Sequence, residues 1–452
     1  MSESVLFQRS LTCTAPAAEL LKQLSDWTGC VYLQDQQHPV LAFLPESYCV
    51  VQQQKLRFFQ QQQHNHYIEY TPAQSLKTWM QFQSQQHAAT PPLSFCGGYI
   101  GFIDFNYAAQ QFVASQTAPQ PQLYFGKYHS YLKWQHHHWV FYSQSKDAEQ
   151  LYQQLLQRFA TTARVTTLQL AQPMQPDWQK VQYQRAFDRI QDYIKAGDCY
   201  QINLTQRFSS QAQGTLLTAA HALWQLTAAP YAGYLKLGEF ELLSCSPELF
   251  FQFEADHLLR TKPIKGTMPR YADPVQDQAS RQRLQDSAKD QAENLMIVDL
   301  LRNDLSVYAE IGSVKTPKLF QIESFNQVHH LVSEIQATLR PEINPLDVLL
   351  QGLPGGSITG APKIRAMQII EELEIAPRGG YCGTLGYFNE DGTGVWNILI
   401  RTVQKYQDQL QVWAGGGITI ASECDAEYQE CLDKVNAILA TLNHYHSGAT
   451  PP

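Results

Sequence analysis

Three strand-like runs, Gly233 to Leu237, Phe240 to Cys245 and Leu249 to Phe253, follow one another with only short gaps between them. Later in the chain, Tyr381 to Phe388, Trp396 to Val403 and Leu410 to Ala414 also read as strands with turn signals between them. Helical patterns cover about Ala288 to Leu301, Ala361 to Leu373 and Ala426 to Leu442. Phe187, Ile190 and Ile194 recur at helical spacing after Asp177, a candidate N-cap, until Gly197 stops the helix. Strands and helices therefore mix without a strict βαβ alternation. This predicts an α+β fold of largely antiparallel β-sheets rather than a doubly wound sheet. There is no internal repeat.

A break at Leu170 to Pro176, LAQPMQP, divides the chain into an N-terminal region, 1–170, and a C-terminal region, 177–445. The first region carries Gln tracts, but hydrophobic residues recur between them, as in Val40 to Leu44 and Leu132 to Tyr142, so it is expected to fold. His136, His137 and His138 sit between two apolar stretches and read as a hairpin tip rather than a metal site, because successive strand side chains point to opposite faces. With 452 residues, 44% hydrophobic and 16% charged, the chain can bury a large core. Its net charge of −8 offers no footprint for nucleic acid or an anionic membrane. MSESVLFQRS has no basic stretch before a long apolar one, and no apolar run approaches the roughly 20 residues that span a bilayer. A cytoplasmic protein is expected. Nine cysteines without a CxxC pair point to reduced thiols.

Five segments carry chemistry. In TKPIKGT, Thr261 to Thr267, the proline fixes the chain before Lys265, and Gly266 and Thr267 offer backbone amides to a ligand. Desolvation of Lys265 would disfavour its ammonium form and free a nucleophilic amine; a surface lysine in a turn is the alternative. Two helices each present acidic residues three apart, Asp290 with Glu293 and Glu427 with Glu430, on one face. Oxygen donors of this kind suit Mg²⁺, although such pairs also occur on solvated faces. Leu295 to Leu301 follows Glu293, so that helix should be mostly buried, and a buried carboxylate needs a cation or a proton. In GLPGGSITGAPKIRAM, glycines with Ser357 and Thr359 lead into a helix and form an anion cradle. A second glycine cluster, AGGGI at 414–418, lies between a strand and the acidic helix. With Arg401 in an apolar strand and Lys434 one turn after Glu430, the set implies a ligand with more than one negative charge.

From about Trp178 to Leu442 the chain resembles the chorismate-utilising enzymes, which include anthranilate, aminodeoxychorismate and isochorismate synthases. The blocks that carry the likeness are CYQINLTQ, SPELF, PIKGT, AENLMIVDLLRNDL, PGGSITGAPKIRAM, RGGYCGTLGY with IRT, and AGGGI with AEYQECLDK. The resemblance implies the fold of that family, antiparallel sheets packed as a sandwich with surrounding helices, and an N-terminal region like that of anthranilate synthase component I. It implies Mg²⁺ held by Glu293 and Glu430, with Asp290 and Glu427 beside them. Tyr381, Arg401 and the Gly417 amide would contact the enolpyruvyl carboxylate; Lys434, Ser357 and the Gly356 backbone would face the ring carboxylate. Glu248, in SPELF, would be the general acid and His330 a positioning group.

Anthranilate synthases typically carry Ala at the position of Lys265, and isochorismate synthases a water-activating Lys at the position of Gln201. This chain has the first lysine and lacks the second, which implies amination of chorismate at C4, on the route to the p-aminobenzoate ring of folate, through a covalent step on Lys265. Ammonia would come from glutamine through a separate amidotransferase subunit, since no cysteine sits in a Gly-rich nucleophile elbow. The rivals are anthranilate synthesis and a catalytically inactive binding or regulatory subunit. Ser306 and Val307 replace the family's usual Gly-Arg, and Ala421 and Ser422 its usual Asp-Ser. The N-terminal likeness is confined to PPLSFCGGYIGFIDFNY. In the region where relatives bind tryptophan, Leu33 to Pro39, Gln34 and Asp35 are present but the expected Ser is not, which leaves that binding open.

Overall fold

The computed structural model describes residues 6–35, 38–72, 75–83, 93–325 and 328–446. Met1 to Val5, Gln36 and Gln37, and Pro91 and Pro92, which figure in the readings of the N-terminus, lie outside these residues. The described strands form two large antiparallel sheets. One contains, in spatial order, Tyr231–Leu237, Phe240–Ser246, Thr402–Tyr406, Gln409–Thr419 and Gln201–Gln213. The other contains Ile264–Pro269, Val328–Thr338, Leu258–Lys262, Leu249–Phe253, Gly394–Asn397 and Thr384–Asn389. Both sheets draw strands from either side of the 170–176 segment: Val31–Leu33 pairs with Tyr231–Leu237, and Gly98–Ile103 with Thr384–Asn389.

Apolar side chains from the two sheets meet face to face. Leu235 and Leu242 of the first pack in one cluster with Ile100, Phe102 and Leu385 of the second. Each such buried side chain contributes about 1.5–3 kcal/mol, so the sandwich interior, rather than any polar contact, supplies most of the driving force. His136 and His137 form the hairpin tip between Ser130–Gln135 and His138–Ser143, both with positive φ. All nine cysteines are free.

The chain crosses between sheets twice at one place. Phe240–Ser246 belongs to the first sheet and Leu249–Phe253 to the second, so Glu248 lies on the crossover. Trp396 to Val403 is not one strand as expected. Gly394–Asn397 lies in the second sheet and Thr402–Tyr406 in the first, and Arg401 turns the corner with φ 51°. The two crossovers are tied together: the Ile398 N–H donates to the Glu248 carbonyl at 3.1 Å and the Cys245 N–H to the Arg401 carbonyl at 3.1 Å.

Other elements depart from the sequence reading for local reasons. The strand expected from Tyr381 is Thr384–Asn389. Ala426 to Leu442 is two helices, Cys424–Asp433 and Asn436–Asn443, broken where Val435 turns into the core at φ −122°. AGGGI is not a loop; it continues the strand Gln409–Thr419. The 352–374 glycines do not run straight into a helix. A 3-10 turn, Gly356–Ile358, and a two-residue strand, Gly360–Ala361, precede the helix Lys363–Leu373. The Thr359 hydroxyl is consumed there, donating to the Gly355 carbonyl at 2.9 Å, so it is no part of an anion cradle. Asp177 does not cap the helix Lys180–Lys195, whose N-cap is Gln179; its carboxylate instead accepts from Arg207 and Ser209.

One buried ion pair anchors the glycine turn. Arg378, 1% exposed, donates to both Glu374 oxygens, to the Ile358 carbonyl and to the Asn203 carbonyl, while Glu374 also accepts from the Thr205 amide and hydroxyl. Removing the guanidinium would leave a buried carboxylate without its countercharge and take one donor from each of two carbonyls. Arg378→Met should therefore cost about 3–5 kcal/mol in urea denaturation, and less when Glu374→Leu accompanies it. A loss below about 1 kcal/mol for the single variant would contradict this reading.

Candidate functional site

The strand Ile264–Pro269 presents Lys265 from a sheet edge. Its pairing with Val328–Thr338 is interrupted by a bulge between Lys265 and Thr267, where Gly266 has φ 77°. A Cβ at Gly266 would lie 2.8 Å from the Asp290 carboxyl carbon, so only glycine lets this strand close on the helix Ala288–Ser306. That helix begins with Ser287, whose hydroxyl accepts from the Asp290 amide. It is less buried than expected, since Leu295 is exposed, but Asn294, Ile297, Val298, Leu301 and Leu305 face inward. On the far side, a Cβ at Gly416 would stand 3.1 Å from Glu427 Oε2, 3.6 Å from Lys434 Nζ and 4.0 Å from Glu430 Oε1. The absence of a side chain there admits the acidic helix Cys424–Asp433.

Lys265, Ser357 and Glu248 form a chain. The Lys265 ammonium donates to the Ser357 carbonyl at 3.4 Å, and the Ser357 hydroxyl donates to Glu248 Oε1 at 3.2 Å. Lys265 keeps some solvent contact, yet burial pushes its pKa below the ordinary range; the Lys434 ammonium adds to this, while Glu293, Glu248 and Glu430 oppose it. Glu248 moves the other way. Burial raises its carboxyl to about 7, against the pull of Lys265, the Ser357 hydroxyl, the Ile264 amide and Arg401. An acid and an amine with converging proton affinities thus sit side by side.

The neighbouring groups are cationic and anionic in turn. Arg401, mostly enclosed and lowered in pKa by burial, has no carboxylate within ion-pair distance among the described residues. His330 is buried. Desolvation first, then Arg401, lowers its pKa to about 3, so it is neutral. Its Nδ1 shares a hydrogen bond with the Thr267 hydroxyl at 2.8 Å, and its Nε2 has no partner. Lys434 bonds Glu430 at 2.8 Å and the Gly415 carbonyl at 2.9 Å. Gly356 packs on Leu300 and Gly417 on the Gln201 side chain. Tyr381 is buried and stacked on Trp413, ring centroids 6.2 Å apart, on the strand that carries Gly417.

No group of three or more His, Cys, Asp and Glu side chains among the described residues is close enough together to hold a metal ion. Mg²⁺ in substrate sites takes one or two protein carboxylates and fills the rest of its shell with water and ligand oxygens. The donor set fits that need. Burial raises Glu293 and the like charges of Glu427 and Asp290 add to it, against Lys265 and Lys289. Burial also pushes Glu430 up, but Lys434 and, more weakly, Lys289 and Lys265 outweigh it. Glu427 is buried and accepts from Ser422 at 2.7 Å. Lys289 was missed in the sequence. Its ammonium lies 3.5 Å from Glu427 and 3.9 Å from Glu293, and its i, i+4 spacing to Glu293 was the available signal.

The sequence matches the chorismate binding enzyme family over residues 28–440. It is 41% identical to aminodeoxychorismate synthase component 1 of Salmonella typhimurium over 378 residues, 82% of this chain and 83% of that protein. It is 47% identical to aminodeoxychorismate synthase component 1 of Klebsiella aerogenes over 284 residues, 63% of each. The crystal structure of anthranilate synthase component I from Streptococcus pneumoniae superposes with a TM-score of 0.75 at 27% identity, covering 89% of this chain and 92% of that one.

The Glu248 shift has a pH signature. Between the ordinary 4.5 and about 7 the folded chain holds a proton that the unfolded chain has lost. Its contribution to stability is therefore full below 4.5 and is lost as pH rises through about 7. Isotope-edited infrared spectroscopy should find the Glu248 carboxylic acid band disappearing with a midpoint near pH 7, absent in Glu248→Gln. A midpoint near 4.5 would show that the site does not desolvate this group.

Proposed function

This chain belongs to the chorismate-binding enzyme family, and on that premise we propose that it aminates chorismate at C4, as an aminodeoxychorismate synthase component 1 does. The observation that carries this reading is the chain of contacts from Lys265 through Ser357 to Glu248, with the amine's proton affinity lowered and the acid's raised. The uncharged Lys265 amine attacks C2 of chorismate. The ring double bonds shift, and the C4 hydroxyl departs with the Glu248 proton as water. Ammonia then forms a bond to C4, the double bonds shift back, and the Lys265 amine leaves C2 while Glu248 recovers a proton from the incoming nitrogen. The enolpyruvyl group is untouched, and the product is 4-amino-4-deoxychorismate.

The remaining side chains bind and orient. Arg401, with no ion-paired carboxylate among the described residues, would take the enolpyruvyl carboxylate with the Gly417 amide and Tyr381. Lys434, Ser357 and the Gly356 backbone would face the ring carboxylate, with the Gly266 and Thr267 amides beside it. Neutral His330 would position the ring without adding positive charge next to Arg401. Glu293 and Glu430 would hold Mg²⁺, with Asp290 and Glu427 in support. When bound, the ion offsets the charge of the ring carboxylate, which the surrounding glutamates would otherwise repel. A glutamine-hydrolysing subunit would supply the ammonia. Among the described residues no helix is long and apolar enough to cross a membrane.

Anthranilate synthesis is the second reading, because the similar solved structure is an anthranilate synthase component I. Lys265 argues against it, since the amine occupies the side from which ammonia would approach C2.

Chorismate supplied without ammonia should leave an adduct on Lys265, read by mass spectrometry after rapid quenching and peptide mapping. Lys265→Ala should form none and lose most of its activity. An unmodified Lys265 with full activity in Lys265→Ala would overturn the covalent step. For the metal, calorimetry in the presence of chorismate should show Mg²⁺ binding that Glu293→Gln or Glu430→Gln weakens at least about tenfold, as loss of one charged ligand requires. Full activity in excess chelator would contradict the metal assignment.

A further inference from the structure

Lys289 stands where a helix disfavours it. It lies in the first turn of Ala288–Ser306, directly after the Ser287 cap, and a cation there opposes the partial positive charge of the unpaired amides. Its side chain is 53% exposed, yet the ammonium does not turn to solvent. It reaches one turn along its own helix, to 3.9 Å from Glu293 Oε1, and across to the helix Cys424–Asp433, to 3.5 Å from Glu427 Oε1. Among the described residues this is the one ion pair that joins the two acidic helices.

Glu427 depends on that contact. Its side chain is only 4% exposed; Oε1 also accepts from the Ser422 hydroxyl at 2.7 Å, and among the described residues Lys289 is the cation paired with it. A buried carboxylate is costly without a countercharge. Burial on its own would lower the Lys289 pKa, but Glu427, Glu293 and Glu430 outweigh it and hold the group as an ammonium. Lys289 in turn opposes the rise of Glu293 and helps to lower Glu430. The other two lysines nearby have different partners. Lys265 donates to the Ser357 carbonyl, and Lys434 to Glu430 and the Gly415 carbonyl. Lys289 is therefore the countercharge that Glu293 and Glu427 share.

We propose that Lys289 is a built-in cation that neutralises the metal-binding carboxylates in the metal-free chain, and that Mg²⁺ binds by displacing it. This rests on the assignment of Glu293 and Glu430 to Mg²⁺ above. Glu293 belongs to both arrangements, as a partner of the ammonium and as a ligand of the ion, so the two cations compete for it. A lysine suits such a role, because its charge sits on a flexible stem and can move out to water without disturbing the helix. The affinity of the site for Mg²⁺ is then a difference between two cations on one set of carboxylates, which keeps the ion exchangeable.

Lys289→Met keeps the apolar stem and removes the charge. Calorimetric titration of the chelator-treated chain with MgCl₂, without chorismate, should give a Kd about fivefold or more tighter than the parent's, the size of one unit charge acting on a divalent ion over about 5 Å of water and salt. Lys289→Gln should behave alike, and Lys289→Arg, which keeps the charge, should stay near the parent. The gain should shrink between about 0.05 M and about 0.5 M salt, because competition between charges is screened. Lys318→Met, which takes a lysine of similar exposure from its ion pair with Glu334, should leave the affinity unchanged. An affinity that is unchanged or weaker in both Lys289→Met and Lys289→Gln overturns the proposal, since the lysine would then be idle or would be arranging the carboxylates for the ion. A gain independent of salt overturns it too, because it would reflect a change of shape rather than of charge. A parent chain that binds Mg²⁺ no better than Glu293→Gln does would instead remove the metal site on which the role of Lys289 depends.

Discussion

Two segments of backbone leave one sheet for the other side by side, and everything chemical in this molecule is arranged around that double crossing. The Ile398 and Cys245 amides lock the segments together through the Glu248 and Arg401 carbonyls. The crossing therefore fixes an acid and a guanidinium at the seam of the sandwich, where side chains from both sheets exclude water. Such a seam is a low-dielectric place. Desolvation there raises Glu248 and lowers Lys265 and His330 at once, because in each case the charged form is disfavoured. A single physical cause thus shifts the acid toward its protonated form and the amine toward its neutral form.

The glycine turn needs a second anchor, since its backbone makes few regular pairings. Arg378 and Glu374 provide it by gripping the Ile358 carbonyl from one side and the Gln201–Gln213 strand from the other. Replacing a buried pair of this kind with apolar residues is often neutral for stability, so its value here is geometric: it sets where Ser357 meets both Lys265 and Glu248. Glycines do the complementary work. Gly266 lacks the side chain that would collide with Asp290, and Gly416 one that would crowd the end of Glu427, which lets the two acidic helices pack close to these strands.

Much of this was legible in the sequence. The antiparallel α+β architecture followed from the short runs without βαβ alternation, and Lys265, Glu248, Ser357, Glu293, Glu430 and Lys434 were singled out from blocks scattered over nearly 190 residues and gather around Lys265. What escaped was whatever depends on tertiary burial. Trp396 to Val403 is mostly apolar, and neither Asn397 nor Arg401 within it marks by spacing the point at which the run changes sheets. The apolar spacing of 426–442 continues across Val435, so the helix break there is visible only once Val435 is seen in the core. Thr359 looked like an anion ligand because a hydroxyl next to glycines has that chemistry, but its own backbone claims it. Arg378 lay within a recognised block and had no assigned role, since a buried guanidinium cannot be told from an exposed one by spacing.

On the proposed function, this seam directs nitrogen to C4 rather than C2. The purified chain should therefore be incubated with chorismate, Mg²⁺ and ammonium, with no lyase present, and the product identified by NMR. The expected product is 4-amino-4-deoxychorismate with the enolpyruvyl group intact and no pyruvate in solution. Anthranilate accompanied by an equal amount of pyruvate would contradict it.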